Sequence, residues 1–203
     1  PGMDTAEPRL DHPAYRSARV DALLAEVTRP LVVLHPGARI PVRRWPEAHF
    51  ARIIEKMRAE YDFHLALVPD PDGYGCALAP VADQLLPQLA VDELVDILGR
   101  VELLLCNDSG PAHLAASCGR PALPIFGPTE PVWFRPWGAM QEIFVRDICP
   151  WRPCFDYCLF DQPYCMTKLM PDVVWPDIHS HIEALISAGT VTTAMRKGAL
   201  VPT

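Results

Sequence analysis

Basic charge and long apolar runs are both scarce in this chain of 203 residues. Its formal net charge is −7, whereas nucleic-acid-binding domains usually present a basic face, so no nucleic-acid partner is expected. No apolar run approaches the roughly 20 residues that span a bilayer, and no transmembrane segment is expected. The chain also opens without a charged and then apolar leader, which argues against secretion and favours a cytoplasmic protein.

Apolar residues are nevertheless plentiful, since half of the chain is hydrophobic, which is enough for a sizeable core. Short apolar runs alternate with segments in which apolar residues recur every three or four positions, an order typical of parallel strands joined by helices. The sequence therefore predicts an α/β, Rossmann-like parallel sheet with helices on both faces. The predicted strands are residues 31–34, 64–68, 101–106 and 122–126, with an edge strand at 142–145.

Three parts are expected along the chain. Residues 1–28 form a lead-in linker and helix, and residues 29–189 form the Rossmann-like domain, whose last helix begins near Pro176. Within this domain, residues 149–165 form a cysteine-rich loop. Residues 190–203 lack periodicity and are expected to be a loosely held tail.

The most informative segment is residues 107–113, Asn-Asp-Ser-Gly-Pro-Ala-His. It follows a predicted buried strand and opens a helix, and proline suits a first helical turn because its missing N–H would have no partner there. The N–H groups at a helix N-terminus, with the positive end of the helix dipole, form a ready anion site. Ser109 and His113 add side-chain donors, so this turn is predicted to bind a diphosphate.

Two more polar loops are expected at the same edge of the sheet, where α/β folds bind their ligands. Residues 127–137 form one loop, which opens with Gly127 and Thr129. The other loop, residues 35–45, carries three arginines: Arg39, Arg43 and Arg44. Guanidinium groups match phosphate oxygens bidentately, which favours a phosphate site. The alternative is that these arginines belong to a solvated loop without a ligand.

Four short motifs carry a resemblance to a known family. They are His-Pro-Gly-Ala at 35–38, Arg-Trp-Pro-Glu at 44–47, the segment at 107–116 that includes the diphosphate turn, and Phe-Gly-Pro-Thr at 126–129. With these motifs the chain resembles the carboxyl-terminal half of glycosyltransferase family 9, the bacterial ADP-heptose:lipopolysaccharide heptosyltransferases. The resemblance implies one half of a GT-B architecture, in which two Rossmann-like domains face each other across a cleft and the second holds the nucleotide sugar.

The resemblance also implies which residues contact the donor. Family members place a basic side chain two residues before the Trp-Pro pair, which is Arg43 here, and they contact the donor through the acidic, hydroxyl, glycine and histidine positions of the diphosphate turn. With the loop residues above, the predicted donor-binding set is Arg39, Arg43, Asp108, Ser109, Gly110, His113, Gly127 and Thr129.

The implied reaction is metal-independent transfer of heptose from ADP-heptose to a lipopolysaccharide core or related glycolipid acceptor, at the inner face of the cytoplasmic membrane. Fixed N–H groups and cations stabilise a diphosphate leaving group in such a site. The family's first domain supplies the general base and much of the acceptor site. It has no counterpart in these residues, so no catalytic residue is assigned and the chain alone is expected to be inactive.

Several alternatives stay open. Residues 68–73, Val-Pro-Asp-Pro-Asp-Gly, replace a glycine-rich turn that family members commonly have near the adenosine, so the base and the sugar are not fixed. A stand-alone nucleotide-binding module without catalysis is the main rival function, and an epimerase of UDP-sugars is a third.

Some individual roles are open as well. Asp108 either accepts hydrogen bonds from ribose or sugar hydroxyls or braces the turn as a cap. His113 either contacts phosphate or sugar or packs in the core. Trp133 and Trp137 either stack on the ligand or pack in the core or at a domain interface.

Four of the seven cysteines crowd into the cysteine loop: Cys149, Cys154, Cys158 and Cys165. Soft thiolate ligands brought together by short loops suit Zn²⁺ or iron, so a structural metal site is one interpretation. Reduced thiols are the second interpretation. Disulfides, which are rare in cytosolic proteins, are the third.

Overall fold

The computed structural model of the chain describes residues 15–138 and 140–198. The strands are β1 Leu31–His35, β2 His64–Leu67, β3 Gln84–Leu85, β4 Leu103–Asn107 and β5 Ala122–Ile125. The helices are α1 Ala18–Leu23, α2 Glu47–Glu60, α3 Val91–Leu98, α4 Gly110–Ser117, α5 Pro131–Phe134, α6 Tyr164–Thr167 and α7 Pro171–Ser187. Short 3₁₀ helices cover Pro41–Arg43, Cys76–Val81 and Thr193–Met195.

All five strands are parallel and lie in the order β3-β2-β1-β4-β5. This arrangement confirms the predicted α/β fold with a Rossmann-like sheet. The strand order reverses between β1 and β4, which are hydrogen-bonded neighbours. In open α/β sheets the crevice at such a reversal, beyond the carboxyl ends of the strands, is where ligands bind.

Each face of the sheet is covered by its own helices. Alternate strand residues such as Leu34 and Leu105 pack with Phe50 of α2 and Ile182 of α7 in one apolar cluster. The intervening residues, such as Val33, face a second cluster to which α1, α3 and α4 contribute. Strands buried on both faces read as continuous apolar runs, which is why the sequence revealed them.

The structure differs from the sequence prediction at the sheet edges. Within residues 142–145 only Phe144 bridges to β5, opposite Ile125, and no strand forms there. Phe144 donates its N–H to the Pro124 carbonyl, but Pro124 has no N–H to return to the ladder, so the pairing stops there. At the other edge β3 is only two residues long, too short to show any periodicity.

The carboxyl-terminal part is more ordered than its sequence suggested. The last helix begins at Pro171. Pro176 lies inside it, on an exposed face and close to the helix start, so its missing N–H affects only the first turns. Residues 190–198 pack on the domain, since Val191 and Met195 are buried. The rest of the predicted tail, residues 199–203, and the predicted linker at 1–14 lie outside the described residues. No helix in the described ranges is both long and apolar enough to cross a bilayer.

Candidate functional site

A cavity of about 290 Å³ lies at the carboxyl ends of β1 and β4. It is lined by Arg39, Ile40, Arg43, Asp108, Ser109, Gly110 and Asp156. Five of these belong to the set that the sequence predicted: Arg39, Arg43, Asp108, Ser109 and Gly110. The strand reversal thus brings the arginine loop and the Asp-Ser-Gly turn to one place.

The turn after β4 leaves its helix N-terminus open toward this cavity. Ser109 is the N-cap residue of α4 in extended conformation, but its side chain makes no cap hydrogen bond. Its hydroxyl instead donates to the Asn107 carbonyl at 3.1 Å. Among the described residues, nothing lies within 4 Å of the position that a Cβ on Gly110 would take. The first-turn amides therefore have no side-chain acceptor from Ser109, and a ligand can approach them closely.

Asp108 is buried and joins the turns that follow β4 and β5. Its Oδ2 accepts a hydrogen bond from Thr129 Oγ1 at 2.6 Å and lies 3.4 Å from Arg43 Nη1. Burial raises the pKa of Asp108, while the Thr129 hydroxyl, Arg43 and His113 act in the opposite direction. The cap interpretation is not what the structure shows, because the partners recorded for this carboxylate are side chains of other loops.

Arg43 ends the short 3₁₀ helix after β1, and its guanidinium faces the cavity between two carboxylates. Nη2 lies 2.6 Å from Asp156 Oδ1, opposite the contact to Asp108. The Phe134 ring lies beside the guanidinium, 5.7 Å from Cζ to the centroid. Arg43 Nε is buried without a hydrogen-bond partner among the described residues. The side chain is thus fixed in place and still has donor capacity.

The adjacent Arg44 points away and has a different task. Its guanidinium donates to Asp70 at 2.8 Å and to Asp72 at 2.6 Å, and it lies over the Tyr74 ring. These contacts fasten the loop after β1 to the loop after β2. Of the three arginines that the sequence grouped together, Arg39 and Arg43 line the cavity, and Arg44 is a brace.

The other three predicted donor residues lie outside the cavity lining. His113 is exposed on α4, so it is not the packed core histidine of the alternative interpretation. Thr129 is fully buried and holds Asp108. Gly127 is needed for packing, because a Cβ there would lie 2.1 Å from Met166 Sδ. Their donor-binding roles stay predictions.

The tryptophans separate into core and surface. Trp45 is fully buried, and its Nε1 donates to the Leu169 carbonyl at 2.8 Å. Trp133 and Trp137 are both 68% exposed. Trp133 stacks on Phe155 of the cysteine loop, with ring centroids 5.9 Å apart. Core packing is therefore the role of Trp45, whereas the other two lie on the surface, and Trp133 contacts the cysteine loop.

The cysteine loop is held by hydrogen bonds, and its four thiols are free. Within the described ranges no group of three or more His, Cys, Asp or Glu side chains is placed to hold a metal ion, so the predicted zinc or iron site is not seen there. Cys149 and Cys165 are buried in the apolar cluster, while Cys154 and Cys158 are half-buried. Burial raises the pKa of Cys165 to about 11, and the nearby thiols of Cys154, Cys149 and Cys158 act in the same direction. The disulfide interpretation is likewise not met.

Two residues of the site had no clear signal in the sequence. The sequence pattern gave Asn107 no role beyond being part of the turn, yet its fully buried side chain fixes the arginine loop. Asp156 lies 113 positions from Arg43 in the chain. Only its place between Cys154 and Cys158 distinguished it.

The fold and the matched family define the class of protein. The model of "Glycosyltransferase family 9 (heptosyltransferase)" matches residues 3–163. The chain belongs to glycosyltransferase family 9, as the sequence motifs predicted.

Individual relatives agree with this assignment. The chain is 32% identical to lipopolysaccharide heptosyltransferase 3 of Escherichia coli over 122 residues, 56% of this chain and 36% of that protein. It is 29% identical to lipopolysaccharide heptosyltransferase 1 of Pseudomonas aeruginosa over 178 residues, 78% of this chain and 48% of that protein. The chain thus spans between about a third and a half of the length of these relatives.

Solved structures show the same fold. E. coli ADP-heptose lps heptosyltransferase II superposes with a TM-score of 0.65 at 17% identity, over 87% of this chain and 54% of that one. The iron-containing dodecameric glycosyltransferase TibC from enterotoxigenic E. coli H10407 gives 0.67 at 16% identity, over 88% and 51%. The domain corresponds to about half of each of these chains.

Proposed function

We propose that this chain is the donor-binding half of a family 9 glycosyltransferase and that its cavity holds the diphosphate of a nucleotide sugar, with ADP-heptose the preferred donor. The observation that carries the proposal is the meeting of Arg43, Arg39 and the open N-terminus of α4 in one cavity at the strand reversal. Support for the nucleotide comes from neighbours of the same fold, among them E. coli heptosyltransferase WaaC with ADP and TibC with ADP-D-beta-D-heptose.

The chemistry proposed for this half is stabilisation of the leaving group. Negative charge builds on the diphosphate as its bond to the sugar breaks. Fixed N–H groups and a guanidinium aimed at that charge lower the barrier, and each such donor is worth roughly 2.7–4 kcal/mol by analogy with oxyanion holes. The Arg43 guanidinium is already positioned by Asp108 and Phe134, so the guanidinium itself needs to move little when the phosphates bind.

The acceptor and the proton transfer are assigned to a second half. In this proposal the glycolipid acceptor and the general base belong to the other domain of the complete enzyme, because the chain spans about half of its structural neighbours. The isolated chain then binds the donor without transferring its sugar.

Calorimetric titration of the chain with ADP, AMP, UDP and GDP tests the donor assignment. We expect ADP to bind about tenfold or more tightly than AMP, since the β-phosphate gains contacts with Arg43 and the α4 amides. The comparison among the three diphosphates identifies the base. Failure of all three to bind at millimolar concentration contradicts the proposal. Adding the amino-terminal half of a family 9 relative then tests for transfer, and binding without any transfer favours a stand-alone module.

A further inference from the structure

The diphosphate cavity contains a carboxylate that no motif assigns, Asp156 of the cysteine loop. Its Oδ1 lies 2.6 Å from Arg43 Nη2, while Asp108 Oδ2 lies 3.4 Å from Nη1. Both terminal nitrogens of the guanidinium therefore face carboxylates. A phosphate that approaches Arg43 therefore finds the guanidinium N–H groups already bonded to carboxylate oxygens.

The two carboxylates are not held equally. The Asp108 side chain is 5% exposed and is fastened by the Thr129 hydroxyl at 2.6 Å. The Asp156 side chain is 49% exposed, and Arg43 is its recorded hydrogen-bond partner among the described residues. Exposed ion pairs of this kind contribute little to stability. Asp156 is thus the carboxylate that can leave.

The recorded hydrogen bonds from the cysteine loop to the turn after β5 stop at Phe155, and the next one, from the Tyr157 amide to the Cys154 carbonyl, lies within the loop itself. The amides of Cys154 and Phe155 donate to the Pro128 carbonyl at 3.0 and 3.1 Å, and the Phe155 ring stacks on Trp133. After Asp156 the chain is exposed at Tyr157 and Leu159 and becomes buried again only at α6. The carboxylate can therefore swing out while the anchored part of the loop stays in place.

Electrostatics gives the direction of the effect. Two arginines and two aspartates line the cavity, so their formal charges cancel. A diphosphate adds at least two negative charges, and like charges about 4 Å apart repel more strongly in a partly buried site than in water. When a phosphate replaces the carboxylate, Arg43 keeps its ion pair and gains bidentate geometry.

We infer that Asp156 is an internal competitor for the diphosphate: it occupies Arg43 until the donor displaces it, and it lowers the affinity of the domain for every ligand that binds through that guanidinium. This inference rests on the proposed function and deepens it, because it makes the cysteine loop a movable part of the donor site. The loop withdraws its carboxylate when the donor binds and returns it when the nucleotide leaves.

Calorimetry of the full chain with ADP tests the competition. Asp156→Ala and Asp156→Asn are expected to bind ADP about three- to tenfold more tightly than the wild type. Asp161→Ala is the matched control, because it removes an exposed carboxylate of the same loop that does not line the cavity. It is expected to leave the affinity within about twofold, so a general effect of net charge is excluded. Unchanged or weaker binding by Asp156→Ala overturns the inference.

ADP titration of a double variant separates this inference from the proposed function. In an Arg43→Ala background, adding Asp156→Ala is expected to change the ADP affinity by less than about twofold, because the competition acts through Arg43. A gain that persists without Arg43 overturns the inference. Absence of ADP binding by the wild type and by every variant contradicts the proposed function instead.

The thiols that flank Asp156 report its movement directly. ADP is expected to raise the rate at which iodoacetamide alkylates Cys158 in the wild type, as read by mass spectrometry of the loop peptide. The same nucleotide should leave the rate unchanged in Asp156→Ala, whose loop is already released. Equal rates with and without saturating ADP in the wild type contradict the displacement.

Discussion

The side chain of Asn107, at the end of β4, holds the backbone of Trp45. Its Oδ1 accepts a hydrogen bond from the Trp45 amide at 3.0 Å, and its Nδ2 donates to the Pro36 carbonyl. Both side chains are fully buried. Since Arg43 lies two residues before Trp45, this pair of hydrogen bonds sets the position of the guanidinium relative to the turn after β4.

Replacing Asn107 with Ala should therefore affect both stability and binding. Two buried backbone groups lose their partners, and each unsatisfied group costs about 1–3 kcal/mol. We expect a lower midpoint of chemical denaturation together with weaker ADP binding by calorimetry. Ser117→Ala removes a hydroxyl that bonds the Leu114 carbonyl within α4 and serves as the control. Wild-type ADP affinity in Asn107→Ala shows that the loop keeps its position without the brace.

Arg43→Ala should weaken ADP binding by more than about tenfold, since a charge-assisted bidentate contact to phosphate is lost. Arg43→Lys keeps the positive charge but loses the bidentate guanidinium geometry, so its ADP affinity is expected to lie between those of Arg43→Ala and the wild type. Arg52→Ala removes an exposed arginine of α2 that pairs with Glu55 and should have no effect on the affinity. Equal affinities of Arg43→Ala and the wild type remove Arg43 from the site.

Thr129→Val should destabilise the protein in a pH-dependent way. The Thr129 hydroxyl is a hydrogen-bond donor to the buried Asp108 carboxylate, and its loss should cost about 1–3 kcal/mol at pH 7. Burial raises the pKa of Asp108 from its ordinary value of 3.8, so its contribution to stability is full below that value and declines as the pH rises through the folded-state pKa. Without the hydroxyl the pKa of Asp108 rises further, so stability falls by a larger amount as the pH increases.

Denaturation of both proteins between pH 4 and pH 7 checks this prediction. The difference in unfolding free energy between wild type and Thr129→Val should widen as the pH increases, because the lost hydrogen bond stabilises the ionised form. Thr129→Ser keeps the hydroxyl and is expected to follow the pH dependence of the wild type. A difference that is constant over this range shows that the bond does not favour the carboxylate.

Gly127 and Gly110 should respond to the same substitution in opposite ways. A Cβ on Gly127 would lie 2.1 Å from Met166 Sδ, so Gly127→Ala should cost about 1–3 kcal/mol through overpacking. A Cβ on Gly110 meets nothing within 4 Å, so Gly110→Ala should fold normally and affect only ligand approach.

Thermal unfolding and ADP titration of the two variants distinguish these roles. Met166 is fully buried, so Met166→Ala destabilises the wild type, but it should cost less in the Gly127→Ala background, where the new methyl group fills part of the vacated space. If Gly127→Ala instead keeps its melting temperature and loses ADP affinity, Gly127 is a donor-binding residue and not a packing glycine.

The sequence predicted the main part of the fold because buried parallel strands leave local signals. The run at 31–34 is apolar throughout, the run at 101–106 is apolar except at Glu102, and Gly119 with its positive φ lies just after the end of α4. The Asp-Ser-Gly-Pro turn was equally readable, since a helix start is encoded within a few residues. These local features also located Arg39, Arg43, Ser109 and Gly110 at one edge of the sheet.

Only the tertiary structure decided which polar groups meet. Arg43 and Arg44 are neighbours with the same side chain, yet one faces the cavity and the other faces Asp70, because the backbone between β1 and α2 turns them apart. Asp156 reaches Arg43 from a distant loop, and of the four nearby cysteines two are buried in the core and two are half-buried. The amino-acid order determined the elements and their sequence along the chain. Contacts across tens of residues depend on how those elements pack, and no local pattern records them.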